Sequence, residues 1–181
     1  HLRTIMSYTQ QGKYQEMMEY LQEYASVITE EEKLICYCRN MAVDAVIHFY
    51  AGELREKGIP FECDMMLPQN IGISDTDLCK IYGNLLENAV DAVKDLLPEN
   101  KPYVKMLTKV KNKKLLIEIS NPYSNEIQRR EKVFYSTKHK GFGIGTASVA
   151  EVVQRMGGYV VFNTEEGIFK VNIFLPVKTV Q

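Results

Sequence analysis

The chain has 181 residues, with 22 Lys and Arg against 23 Asp and Glu, 45% hydrophobic residues and 25% charged. That is the composition of an ordinary globular domain, long enough to bury a core without disulfide or metal staples. A net charge of -1 excludes the concentrated basic field that duplex nucleic acid requires, and no apolar run approaches the roughly 18 residues that cross a bilayer. The chain starts at His1 without an initiator Met and shows no signal-peptide core, so it is expected to be part of a longer protein.

From His1 to about Ile28 apolar residues recur at helical spacing, first Leu2, Ile5 and Met6, then Tyr14, Met17, Met18, Leu21 and Tyr24. Gln10, Gln11 and Gly12 interrupt them, which predicts two short helices joined by a tight glycine turn. So small a hairpin cannot bury both apolar stripes. This favours a second copy in a four-helix bundle over packing on the rest of the chain. Thr29, followed three residues later by Glu32, reads as a helix start, and the helix is expected to run to about Lys57, where Gly58 and Pro60 stop it. On that helix Cys36 and Cys38 would point about 200° apart. With Cys63 and Cys79 they match no zinc spacing, which predicts four reduced thiols packed as small hydrophobes.

Ile59 to Leu67 is a predicted strand, closed by Pro68. Ser74 and Asp77 form a second capping signal, opening a helix that is expected to end near Leu97 and Pro98. A hairpin follows, Tyr103 to Val110 and Leu115 to Ser120, turning at Lys111 to Lys114. Asn121 to Lys140 is polar and irregular. Gly141, Gly143 and Gly145 lead into a helix from Thr146 to Met156, stopped by Gly157 and Gly158. A second hairpin, Tyr159 to Thr164 and Ile168 to Pro176, turns at Glu165 to Gly167. These elements predict an α+β fold, a two-layer sandwich with helices on one face of a mixed sheet.

Two features carry chemistry. Asn84 and Asn88 are four apart and share a helical face, with Glu87 and Asp91 beside them and Leu85, Leu86, Ala89, Ala92 and Val93 opposite. Asn disfavours helix interiors, so the pair is either aimed at a ligand or part of a solvated stripe. Its amides offer a carbonyl acceptor and NH₂ donors, which suits metal and phosphate together. The Gly141-x-Gly143-x-Gly145 run lets backbone N–H groups approach a phosphate at the positive end of the following helix. It is not a Walker loop, because no Gly-Lys-Ser/Thr ending follows. Nor is it the dinucleotide fingerprint, whose third glycine position holds Thr146.

The run from Asn84 to Ala89 resembles the N box of the GHKL ATPases, which include sensor histidine kinases and gyrase. Phe134 to Lys138 resembles their phenylalanine box, and Gly141 to Gly145 their last glycine box. Among histidine kinases the likeness is to the Gram-positive kinases that sense quorum peptides. Those have a helical hairpin similar to Leu2–Tyr24 and a spacer helix similar to Asn40–Lys57. The resemblance implies a partial dimerisation and phosphotransfer hairpin over 1–28, a linker and first long helix over 29–58, and a Bergerat-type ATP-binding domain over 59–181.

ATP and Mg²⁺ are the implied ligands. Asn88 would coordinate the metal, and Asn84 would support metal and phosphate. Lys138, Gly141, Gly143, Gly145 and Thr146 would belong to a lid over the phosphates, and Glu87 would orient or deprotonate the phosphoacceptor histidine. Three departures from the family pattern stand out. Asn121, followed by Pro122 and Tyr123, replaces Asp-x-Gly-x-Gly, although an Asn carbonyl still accepts from the adenine amino group. Asp91 stands where many histidine kinases have Lys, and Thr146 replaces a leucine.

Of the three histidines, His48 is expected to be structural and His139 to lie in the lid. His1 resembles a position following the acceptor, which is therefore expected upstream rather than within the chain. The resemblance implies the cytoplasmic kinase portion of a membrane sensor, homodimeric through its first helices. It would phosphorylate a histidine and then an aspartate of a response-regulator receiver domain, with no nucleic-acid partner and membrane attachment only through upstream segments. The alternatives are a degenerate nucleotide-binding or purely dimerising module, and an anti-sigma-type serine kinase, which the dimerising hairpin disfavours.

Overall fold

The computed structural model describes residues 7–8, 11–13, 15–17, 19, 35–123, 129–130, 133–134 and 144–177. The chain divides into two compact units, His1–Cys36 and Tyr37–Gln181. In the first, helix at Ser7 and Tyr8 closes on Gly12, whose φ is 66°. The Lys13 N–H donates to the Tyr8 carbonyl at 3.0 Å and the Gln11 N–H to that of Ser7 at 3.1 Å, a glycine-dependent Schellman ending. Helix resumes at Gln15. The glycine turn stands where the sequence placed it; Leu2, Ile5, Met6, Leu21 and Tyr24 lie outside the described residues.

The second unit contains, in chain order, α1 (Met41–Glu56), β1 (Phe61–Met66), α2 (Asp75–Val93), β2 (Val104–Lys111), β3 (Lys114–Pro122), β4 (Arg129–Arg130), β5 (Val133–Phe134), α3 (Ile144–Arg155), β6 (Tyr159–Glu165) and β7 (Ile168–Pro176). Five strands form a sheet in the order β1-β2-β3-β7-β6, with β1 parallel to β2 and the other pairs antiparallel. The expected α+β sandwich with a mixed sheet is the observed fold. The inner face of the sheet supplies Met106, Leu115, Ile117, Ile119, Val171, Ile173 and Leu175, all buried with the apolar faces of the three helices. The outer face is polar along one flank, where Lys105–Glu62, Lys109–Asp64 and Lys170–Glu118 ion pairs cross between strands.

Both hairpins close through two residues at positive φ, Asn112 and Lys113 (51° and 59°) and Glu166 and Gly167 (51° and 76°). Such turns match the twist of paired strands. Between β3 and α3 the chain also pairs β4 with β5, where an irregular stretch was expected.

Three helix boundaries differ from expectation. Residues 35–40 are not helical, so α1 begins twelve residues after Thr29 rather than at it, in line with the likeness of Asn40–Lys57 to a spacer helix. The cause is a competing set of hydrogen bonds. Asp44 Oδ1 accepts from the backbone N–H groups of Tyr37 (2.8 Å) and Cys38 (3.1 Å), and the Arg39 N–H donates to the Leu67 carbonyl. These bonds hold the segment extended beside the end of β1. Cys36 and Cys38 therefore precede the helix instead of sharing it. None of the four cysteines is in a disulfide; Cys38 is buried, Cys36 is exposed rather than packed as expected, and burial pushes the Cys63 thiol up to about 12.

At its other end α2 stops at Val93, its last core residue, because Pro98 forces Leu97 into extended backbone. α3 starts two residues before Thr146, which places Gly145 inside its first turn. α1, set with the linker in the sequence reading, packs its Val43, Ile47, Ala51 and Leu54 into the same core as the sheet.

Asn40 joins these pieces. Only 3% exposed, it caps α1 by accepting from the Val43 N–H, and its amide donates to the Gln69 carbonyl (3.0 Å) and to Asp75 Oδ1 (2.9 Å). Asn40→Ala is expected to destabilise the fold by about 2 kcal/mol, the sum of a lost cap and an unpaired buried carbonyl. Asn40→Asp preserves the cap yet turns a carboxylate toward Asp75, so in chemical denaturation it is also expected to destabilise. A neutral result for Asn40→Asp would reduce Asn40 to a simple cap. Gly83, in mid-helix on α2, has open space where a side chain would go. Gly83→Ala is expected to raise stability by roughly 0.5–1 kcal/mol through helix propensity alone.

Candidate functional site

α2 is the central helix, packed on α1, on α3, and on β2 and β3. Its start is well defined: Ser74 Oγ accepts from the Asp77 N–H at 3.2 Å and donates to Asp77 Oδ2 at 2.9 Å. Asp75 and Asp77 also suit the positive end of the helix dipole. The inner face buries Leu78, Ile81, Tyr82, Leu85, Leu86, Ala89, Val90 and Val93. Tyr82 is wholly buried, its hydroxyl bonded to Thr108 Oγ1 at 3.1 Å, and burial pushes the phenol well above its usual pKa.

With that face committed to the core, helical geometry turns Asn84, Glu87, Asn88 and Asp91 elsewhere. The two asparagines and Asp91 are half-buried and Glu87 is exposed. Asn84 Nδ2 donates to the Lys80 carbonyl at 2.6 Å, which lays the side chain along the helix. The first turn of α3 comes down on this pair. A Cβ placed on Gly145 would sit 2.8 Å from Asn88 Nδ2, 3.2 Å from Asn88 Oδ1 and 3.3 Å from Asn84 Oδ1. Any side chain there would displace the amides. Thr146 follows, half-buried.

Glu87 and Asp91 of α2 and Glu53 of α1 all act on Tyr50 of α1. The Tyr50 phenol between the helices is raised first by burial and then by the carboxylates of Glu87, Glu53 and Asp91. The Asp91 charge is offset by Lys94, whose Nζ lies 2.7 Å from Oδ1. Asn121 lies near the end of β3 opposite Phe169, 1% exposed, with its Nδ2 donating to the Pro122 carbonyl at 2.9 Å. His48 has structural company: its Nε2 is 3.5 Å from Asp44 Oδ2 and its ring meets Tyr37 edge-on at 4.9 Å. Lys138, Gly141, Gly143, His139 and His1 lie outside the described residues.

The structure therefore brings Asn84, Asn88 and Gly145 to one place, with Glu87 one residue before Asn88 on α2. Sequence reasoning missed the ion pair between Arg155, at the end of α3, and Asp77, 78 residues away. Asp77 was legible only as a cap. The groups gathered at the site are the side-chain amides of Asn84 and Asn88 and the backbone at the start of α3, a set that suits a hard cation and a polyanion at once. Among the described residues no group of three or more His, Cys, Asp or Glu could hold a metal ion.

A family model described as the GHKL domain matches residues 73–176. The sensor protein CitS of Bacillus subtilis (strain 168) is 26% identical over 186 residues, covering 97% of this chain; the chain spans 33% of the length of that relative. The catalytic domain of histidine kinase ThkA shares the fold with a TM-score of 0.60 at 17% identity, over 76% of this chain and 91% of that one. Acinetobacter baumannii histidine kinase AdeS gives 0.55 at 13%, over 77% and 64%. Full-length ShkA, solved in complex with AMPPNP, gives 0.60 at 20%, over 78% and 30%. The matched span holds more than half of the chain, including α2, α3 and every strand from β2 to β7, and the chain belongs to the GHKL family.

Proposed function

We propose that this chain binds Mg²⁺ and ATP between the asparagine face of α2 and the first turn of α3. We further propose that it serves as the kinase portion of a two-component sensor, passing the γ-phosphoryl group to a histidine and then to an aspartate of a response regulator. The observation that carries this reading is the approach of Gly145 to Asn84 and Asn88, a gap that a Cβ would fill. The ATP analogue bound to ShkA supports it.

Asn88 would present its carbonyl oxygen to the metal, and Asn84, fixed on the Lys80 carbonyl, would hold the neighbouring oxygen. Backbone N–H groups of Gly143 and Gly145, with Lys138 and Gly141, would contact the phosphates, and Asn121 would accept from the adenine amino group. Mg²⁺, when bound, neutralises charge that develops on the phosphates during transfer. Beyond that the chain contributes positioning and fixed dipoles, which is what phosphoryl transfer asks of a protein. Glu87, exposed on α2 one residue before Asn88, would orient an incoming imidazole or take a proton from it, leaving the attacking nitrogen free. We place the acceptor upstream of His1 because His1 resembles the position that follows the acceptor in the family.

Mg²⁺ with ATP is expected to raise the thermal midpoint of the chain, as any ligand of the native state does. Asn88→Ala and Gly145→Ala are each expected to abolish that rise while leaving the ligand-free midpoint within about 2 °C, because both act on side-chain amides at the surface of the core. A full ATP response in Asn88→Ala would remove Asn88 from the metal site. No response in the unaltered chain would favour the dimerising module.

Sedimentation is expected to show a dimer for this chain and a monomer for one beginning at Glu30. Monomers for both at tens of micromolar would end the four-helix-bundle assignment. Adding about ten native residues before His1 is expected to restore autophosphorylation that the chain itself lacks. Acid-labile phosphate on His1 would place the acceptor within the chain instead.

A further inference from the structure

α3 is tied to α2 at both ends. At its start Gly145 rests on the Asn84 and Asn88 amides; at its finish an Arg155 guanidinium N–H donates to Asp77 Oδ1. The two helices therefore run antiparallel, with the contacts separated by nearly equal lengths of each. Between them the buried residues of α3 are Val149, Val152 and Val153. Such apolar contact is non-directional: it resists separation of the helices more than sliding along them. A directional bond at the far end sets the register.

Asp77 is built to supply that bond. It is held by the cap, with Oδ2 accepting from Ser74 Oγ and its own N–H donating back, so Oδ1 is presented in one orientation. Arg155 is delivered just as firmly. The turn after it closes with the Gly158 N–H on the Val153 carbonyl, and a Cβ on Gly158 would strike the Phe174 carbonyl of β7.

We infer that Arg155 and Asp77 are positioning residues for the phosphate site. Their ion pair sets where α3 stands along α2, and hence how the Gly145 N–H and the Asn88 amide converge on one ligand. The ligand half of this inference rests on the nucleotide reading above; the register half does not. Arg155 is 59% exposed on its side chain, and an exposed ion pair contributes little to global stability. Its removal therefore acts on the site before it acts on the fold.

The test uses the whole chain, isotope-labelled for NMR, as Arg155→Ala, Arg155→Lys, Asp77→Asn and the Arg155→Ala/Asp77→Asn double variant. Without nucleotide, Arg155→Ala is expected to shift the Gly145 backbone amide and the Asn84 and Asn88 side-chain NH₂ resonances. Its affinity for Mg²⁺ with ATP is expected to fall about three- to five-fold, the scale of one partly exposed pair. Affinity for adenosine, which lacks phosphates, is expected to hold. Arg155→Lys should recover most of the loss, and the double variant should be no weaker than Arg155→Ala. Unmoved Gly145, Asn84 and Asn88 resonances would overturn the inference, as would an equal loss for adenosine and ATP. If the unaltered chain binds no ATP, the nucleotide reading falls, and the resonances alone decide whether the ion pair sets the register.

Discussion

The close approach of Gly145 to the Asn88 amide is the contact around which α2 and α3 are arranged. It exists only because α2 faces two ways. Its apolar side is committed to the sheet through Leu78, Ile81, Tyr82, Leu85, Leu86 and Ala89, and a helix so anchored has no freedom to rotate. The asparagines are then held by core packing at a fixed angle, ready for whatever α3 brings. A methyl group at Gly145 would spoil the contact without touching the core.

A second constraint operates at the entrance to the unit. Asn40 and Asp44 collect backbone and side-chain groups from the segment before α1, from the residues after β1 and from the start of α2. Among the described residues no buried side-chain polar atom lacks a hydrogen-bond partner, the condition under which such a polar junction stabilises rather than weakens a fold. Tyr82 and Thr108 meet the same requirement in the centre of the core. The outer face of the sheet, by contrast, satisfies its charges in cross-strand pairs that solvent screens.

Much of this was legible in the chain. Glycines mark the ends of helices at Gly12, Gly58 and Gly157, all at positive φ, because few other residues adopt that backbone cheaply. Ser74 announces α2, and both hairpins stand where alternating apolar runs put them. The start of α1 was not legible, since the carboxylate that holds Tyr37 and Cys38 extended belongs to a residue inside the helix, and Leu67 lies far along the chain. Asn40 is recognisable as the cap of α1 only once its partners at Gln69 and Asp75 are in place.

Local chemistry, then, determined the elements, the α+β class and the identity of the two asparagines and the glycine run, because periodicity, caps and turns act over a few residues. Tertiary structure alone decided that Gly145 lies on Asn84 and Asn88 and that Arg155 reaches Asp77. Those contacts join residues some 60 to 80 positions apart in the chain. Nothing in the local sequence encodes their distance; only the packing of α3 beside α2 over a shared sheet does.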